Sequence, residues 1–297
     1  MPTDGSALSS AALDFIASRT TLIGTNPKIT VLNVQLPVPA YPAHVVGKPA
    51  VRAFHKMEAN EILKPALARL KKAGLQASAK YVVGSPGKAI AKFASANGAD
   101  LIVMGSHGDT ALKGLLLGSA TNAVLASSKT PLLIIRSSAA PVTGSLNVGI
   151  AIDGSKYSVA AARYVLRHLE LFGRTPAVTL INVVPDLRST FIPGFADAPG
   201  PLYRPEGAVA MQTAAFEVVM APVRKLIKPT GLRATETCLI GNNPGDEIAA
   251  YAKKNRLDLL VLGSHGYAAL QSVVMGSVST RVAAKCRMPL LLIRGSA

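Results

Sequence analysis

The chain has 297 residues, 49% hydrophobic and 16% charged, a balance that supplies a sizeable core and excludes a largely disordered polymer. The 32 Lys and Arg against 16 Asp and Glu leave a net charge of +16, but it is spread evenly over both halves and comes with no zinc-finger, RNP or leucine-zipper pattern, so nucleic acid is not an expected partner. Two cysteines, Cys238 and Cys286, exclude a disulfide framework or a cysteine zinc site and fit a reducing cytoplasm; the longest apolar runs fall well short of the ~18 residues that span a membrane, and no basic leader precedes Asp4 and Asp14 as it would in a signal peptide.

Read from the start, Met1-Pro2-Thr3 is followed by Asp4-Gly5-Ser6 and a helical pattern, then an apolar strand at 31–34 ending in Val34. Gly84-Ser85-Pro86-Gly87 follows, and it is answered later in the chain by Gly241-Asn242-Asn243-Pro244-Gly245. With Lys88 it superficially resembles a phosphate loop, but Ala89 stands where that loop needs Ser or Thr. Residues 100–136 then read DLIVMGSHGDTALKGLLLGSATNAVLASSKTPLLIIR, and a linker over 137–145 contains Pro, Gly and Ser.

The chain is then written a second time. Residues 258–294 read DLLVLGSHGYAALQSVVMGSVSTRVAAKCRMPLLLIR, identical to 100–136 at about half of the positions without a gap. Asp153-Gly154-Ser155 answers Asp4-Gly5-Ser6, and Val183 answers Val34. A Pro- and Gly-rich loop at 185–206 makes the second copy longer. Two domains are expected, 1–138 and 146–297.

In the second copy, strands are expected at 148–152, 177–184, 233–240, 257–262 and 290–293. Helices are expected after Ser155, which can cap its helix, and at 208–227, 246–255 and 277–286. The helix after Ser155 would turn Val159, Ala162, Val165, Leu166 and Leu169 to one face. Such alternation gives an α/β fold in which each copy is a doubly wound, Rossmann-like parallel sheet. The first copy lacks the residues for a full first strand; the expectation is that its start lies upstream, that restoring the half strand raises the melting temperature, and that the first site is the less secure.

Ligands of such sheets bind beyond the carboxyl ends of the strands. Both copies put a G-x2-G-x9-G-S pattern there: Gly105, Gly108, Gly118 and Ser119, then Gly263, Gly266, Gly276 and Ser277. Glycines let backbone approach a phosphate, and the last pair opens a helix whose N–H groups favour an anion. Asp4 and Asp153 suit a ribose hydroxyl or a base amine. His107 and His265 have no companion nucleophile or paired carboxylate, so a loop role near phosphates is expected, with no catalytic residue and at most slow hydrolysis. No metal site is expected.

The pattern resembles the universal stress protein superfamily in its tandem two-domain form, over nearly the whole chain. The resemblance implies binding of ATP, or AMP or ADP, with Mg²⁺ able to accompany ATP, by a cytoplasmic stress-response module. By the same resemblance, Asp4 and Asp153 contact the adenosine portion, and Val34 and Val183 pack on or bond to the adenine. Gly105, His107, Gly108, Gly118, Ser119 and Thr121 line ribose and phosphates in the first copy; Gly263, His265, Gly266, Gly276, Ser277 and Ser279 do so in the second. A positive surface is expected around both sites. Competing readings are an ATP hydrolase or nucleotidyl transferase on the same scaffold, and a protein-interaction scaffold without nucleotide.

The apolar last strands, 132–135 and 290–293, need cover if the strand order is 3-2-1-4-5 in two five-stranded sheets. Pairing them within the chain gives a pseudo-twofold internal dimer, as single-domain members dimerise; a homodimer of the whole chain stays open.

Overall fold

In the computed structural model, residues 1–20, 23, 27–107, 117–137, 144–187, 205–264 and 275–294 are described, without the side chains of 205 and 206. The first copy comprises α1 (Ala7–Ala17), β1 (Ile29–Gln35), α2 (Ala40–Lys72), β2 (Ala77–Val83), α3 (Pro86–Ala96), β3 (Ile102–Gly105), α4 (Ser119–Ser127) and β4 (Leu132–Ile135). The second runs β5 (Asn147–Ala151), α5 (Lys156–Arg167), β6 (Ala177–Val184), α6 (Pro205–Ile227), β7 (Ala234–Ile240), α7 (Pro244–Lys254), β8 (Leu259–Gly263), α8 (Ser277–Lys285) and β9 (Leu290–Ile293). The fold is α/β, with parallel pairing throughout except between β4 and β9.

The strands do not form two five-stranded sheets. They form a pair, β1-β2, and a seven-stranded sheet in the order β3-β4-β9-β8-β5-β6-β7. Two physical causes account for the correction. In the second copy β5 lies between β6 and β8 and bonds to both. In the first, its counterpart is only Met1-Pro2-Thr3, which makes a single bridge, Pro2 to Leu32, with Thr3 N–H on the Leu32 carbonyl at 2.9 Å. This segment makes no ladder to β3, so β1-β2 stands as a separate pair. The consequence shows in burial: Ile29 and Leu101 are half-buried, whereas their counterparts Val178 and Leu259 are buried.

The second cause is the apolar edge. β4 and β9 pair antiparallel through Leu132–Leu292, Leu133–Leu291 and Ile134–Leu290. All eight residues of the two strands are buried. Leu133, Ile135, Leu291 and Ile293 join the hydrophobic core on one sheet face; Leu132, Ile134, Leu290 and Leu292 join the core on the other. The period-two alternation of a strand thus runs both cores through both copies. Arg136 Nε crosses the same seam to the Cys286 carbonyl at 3.0 Å. Arg19, fully buried at the end of α1, donates from Nη1 to the Gly144 carbonyl of the linker at 2.5 Å and lies 5.1 Å from the Phe15 ring.

Ser155 caps α5 by accepting the Ser158 N–H at 3.2 Å, and Ser6 caps α1 the same way from Ser9 at 3.3 Å. The buried face of α5 differs from the expected stripe. Ser158, Ala160, Ala161, Ala162, Tyr164 and Val165 are buried, Val159 and Leu166 only half so, and Leu169 lies beyond the helix in a 3-10 turn. Ala162 and Val165 of the expected stripe are buried, and Ala160, Ala161 and Tyr164 complete the face.

Candidate functional site

The site is built where β1, β3 and the starts of α1 and α4 converge. Asp4 follows Thr3; its Oδ1 accepts the Ser6 N–H at 3.1 Å, while the residue stays exposed. Gly5 between them has φ +84°, a left-handed conformation that glycine adopts without strain. Asp153 repeats the turn, with its Oδ1 on the Ser155 N–H at 2.9 Å and Gly154 at φ +80°. One carboxylate oxygen is therefore used to shape the turn, and the carboxylate itself faces outward at the strand end. Beneath it, Thr3 Oγ1 and Ser9 Oγ lie 3.0 Å apart, and Asn33 Nδ2 donates to the Thr3 carbonyl at 2.9 Å.

At the end of β3 the backbone of Gly105 meets the first turn of α1. A Cβ there would lie 2.8 Å from the Leu8 carbonyl carbon; a Cβ on Gly263 would lie 2.8 Å from Tyr157 Cβ. These two glycines are required by the close approach of helix to strand, a reason the ligand-centred reading of the motif did not contain. The motif's two ends then close on each other. Gly118 N–H donates to the Ser106 carbonyl at 2.7 Å, and Gly276 N–H to the Ser264 carbonyl at 2.9 Å. Thr121 Oγ1 reaches the carbonyls of Gly105 and Ser106 at 3.3 and 3.1 Å, and Ser279 Oγ that of Gly263 at 3.0 Å. Both hydroxyls are buried staples between helix and strand end. Ser106 and Ser264, not singled out from the sequence, are buried at the heart of this closure; their place in the repeated Gly-Ser-His-Gly was the available signal. Ser106 Oγ lies 3.0 Å from His107 Nδ1 and fixes the ring.

Gly118 and Gly276 occupy the N-cap positions of α4 and α8, and neither helix has a side-chain cap. Ser119 and Ser277, at the first helical positions, are exposed. The α4 start opens into a cavity of about 260 Å³. Asp4, Val34, Gly105, His107, Gly118, Ser119 and Thr121 all line it, brought together from positions more than 110 residues apart. Pro2, Leu32, Pro86, Ile90 and Met104 add an apolar wall that the motif did not reveal. No Lys or Arg is among the described lining residues, so the expected positive surface is not built from them; an anion here would meet backbone N–H groups.

In the second copy Asp153, Val183, Gly263, Gly276, Ser277 and Ser279 occupy the equivalent strand ends and helix start. Gly108, His265 and Gly266 lie outside the described residues. Gly87, in the segment set aside as a phosphate loop, serves packing: a Cβ there would fall 2.2 Å from Ala123 Cβ of α4. Among the described residues no three of His, Cys, Asp or Glu gather as a metal site, and no helix is long and apolar enough to cross a membrane.

The Universal stress protein family model matches residues 1–136 and again 145–294. The chain belongs to the universal stress protein family. Universal stress protein MJ0577 of Methanocaldococcus jannaschii is 43% identical over 67 residues, covering 23% of this chain and 41% of that protein. Universal stress protein MJ0531 of the same organism is 31% identical over 146 residues, covering 49% of the chain and 79% of its own length. A Thermus aquaticus universal stress protein is 33% identical over 146 residues and is covered to 96% against 49% of this chain. The chain therefore spans less than half of the first of these relatives and most of the other two. The crystal structure of a universal stress protein from Archaeoglobus fulgidus has the same fold over 99% of this chain and 97% of its own, at a TM-score of 0.72 and 24% identity.

Proposed function

We propose that this universal stress protein binds an adenine nucleotide, ATP or its mono- or diphosphate relatives, and works in the cytoplasm as a nucleotide-dependent binding or signalling module of the stress response. Its working units are two domains, 1–138 and 146–297, each with one site. The observation that carries the reading is the first-copy cavity, in which an outward carboxylate, an apolar wall and an uncapped helix start face one space of about 260 Å³. Asp4 holds the ribose or base, Val34 and Ile90 cover the adenine, and the N–H groups at Ser119 and Ala120 take the phosphates. The second copy repeats these roles with Asp153, Val183 and Ser277, and by the repeated motif His265 and Gly266 take the parts of His107 and Gly108. Mg²⁺ accompanies ATP through its phosphates, since the described lining offers one carboxylate, Asp4.

The test is identification of nucleotide released from the purified protein, together with thermal shift on adding ATP. Ser119→Glu with Ser277→Glu sets a carboxylate at each helix start, which suits the helix dipole and repels phosphate. Against nucleotide-stripped wild type, the double variant should fold with an undiminished melting temperature, and it should lose both nucleotide and shift. A wild-type protein with neither would defeat the reading and favour a scaffold. Asp4 and His107 facing one cavity also admit a hydrolase; steady ATP turnover abolished by His107→Ala would establish it.

A further inference from the structure

We propose that residues 40–57 form an arm that docks the protein on an anionic lipid surface. In α2 the buried stripe is His55, Ala59, Leu63, Ala66 and Leu70. No residue of the helix before His55 is buried, so its first fifteen residues stand off the core. The helix bends at Gly47, whose φ of 80° and ψ of 159° are not helical. Large apolar side chains point to water on both sides of the bend: Tyr41 is 82% exposed, Val45 68%, Val46 56%, Met57 55% and Phe54 46%.

Scattered exposed apolar residues need no explanation, but a run of five along one arm does. Beyond the bend, Phe54 and Met57 share a face with Ala50 and Ala53 at helical spacing. Lys48, Arg52 and Lys56 follow at four-residue intervals and form one ridge on the opposite side of the helix. No Asp or Glu lies between residues 40 and 57. A helix of this kind, with aromatic and aliphatic groups on one face and a basic ridge on the other, lies in a bilayer interface, its apolar groups among the acyl chains and its cations at the level of anionic headgroups. The chain's +16 adds long-range attraction to such a surface.

Two other occupants fit less well. A second copy would set one basic ridge against another with no acidic residue to pair. A folded acidic protein would need a mould for apolar groups strung along a bent helix, whereas a bilayer accepts them without one. The second copy provides the contrast. α6 also exposes Val209, Met211 and Val218, but no Lys or Arg lies between residues 207 and 223. None of the arm residues lines the nucleotide cavity, so the proposal stands apart from that reading.

The experiment is co-sedimentation of the full chain with phosphatidylcholine vesicles, with vesicles also containing phosphatidylglycerol, and titration with soluble polyglutamate. Three variants accompany it: Lys48→Gln/Arg52→Gln/Lys56→Gln, Val45→Ser/Phe54→Ser/Met57→Ser, and Val218→Ser as a control. The altered side chains are exposed in the fold, and unchanged melting curves verify that it is kept. The wild type should bind only vesicles with phosphatidylglycerol. Binding should fall on the order of 100-fold in the charge variant and about tenfold or more in the apolar variant, and stay unchanged in the control. Absence of vesicle binding by the wild type overturns the proposal. So does full retention by the apolar variant, which would reduce the effect to general electrostatic attraction, and so does tight binding to polyglutamate lost in the charge variant, which would assign the arm to an acidic protein.

Discussion

Leu133 and Leu291 face each other across the antiparallel β4–β9 pairing, and they are the same residue of the repeat. Leu132 pairs with Leu292 and Ile134 with Leu290, each the partner of the other's equivalent. The local dyad of the molecule therefore passes between Leu133 and Leu291. Both side chains belong to the same core, where α1 and α5 also pack.

That position makes a sharp test of how far the copies depend on each other. Leu133→Ala should lower stability by about 2–5 kcal/mol, as should Leu291→Ala. Because the two truncations open one shared cavity, the double variant should cost less than their sum. Urea unfolding followed by far-UV circular dichroism gives the three values; strict additivity would show that the two side chains do not share a packing environment.

Gly105→Ala should destabilise the protein by about 1–3 kcal/mol, because its methyl meets the Leu8 backbone at 2.8 Å. Ser119→Glu, one helix start away, should not. Loss of nucleotide in the first variant would reflect a displaced α1, whereas loss in the second would report on the phosphate position. Thermal melting of both in the absence of nucleotide makes the distinction.

Asp246, in the first turn of α7, ties that helix to α8. Its Oδ1 lies 2.8 Å from both Lys285 Nζ and Arg281 Nε. The hydrogen bond from Lys285, then that from Arg281, holds its carboxyl below the usual value. A depressed folded value means that the contribution is whole above the unfolded value of about 3.9 and disappears as pH falls through the folded one. Asp246→Asn should therefore melt lower than wild type near neutral pH, with the gap closing on acidification below about 4. A gap independent of pH would assign the effect to packing.

The two thiols should separate cleanly. Cys286 is buried, and burial pushes its thiol up against a smaller opposing effect of Arg136; Cys238 is exposed on β7, with a thiol also raised by partial burial. A thiol reagent at mildly alkaline pH should modify Cys238 alone in the native protein and both residues in denaturant. Equal native rates would contradict the burial of Cys286.

Much of the strand–helix order was legible because the chain states it twice. β6 and β9 have the bounds expected from their apolar runs, and Ser155 caps its helix as its position implied. The apolar last strands also announced that the copies join there, as β4 and β9 do, but not the direction or register of the pairing. A run such as Leu132–Ile135 announces burial on both faces but not the register of its partner. The requirement at Gly105 was hidden too, since a glycine demanded by Leu8 looks in sequence like a glycine offered to a ligand. The arm at the start of α2 had no sequence signature, because Pro42, Gly47 and Pro49 interrupt the helical pattern where the helix itself bends.

The division into a two-stranded and a seven-stranded sheet bears on the first-copy cavity. Its Leu32 and Val34 belong to β1, while Met104 and Gly105 belong to β3, and no ladder joins those strands. A molecule filling the space leans on both sheets at once and so opposes their drifting apart, as a wedge cemented into a crack resists its widening. In the second copy β5 already spans that distance with its own hydrogen bonds. Occupancy of the first cavity therefore stiffens the protein in a way that a ligand at the second-copy strand ends, already joined through β5, would not.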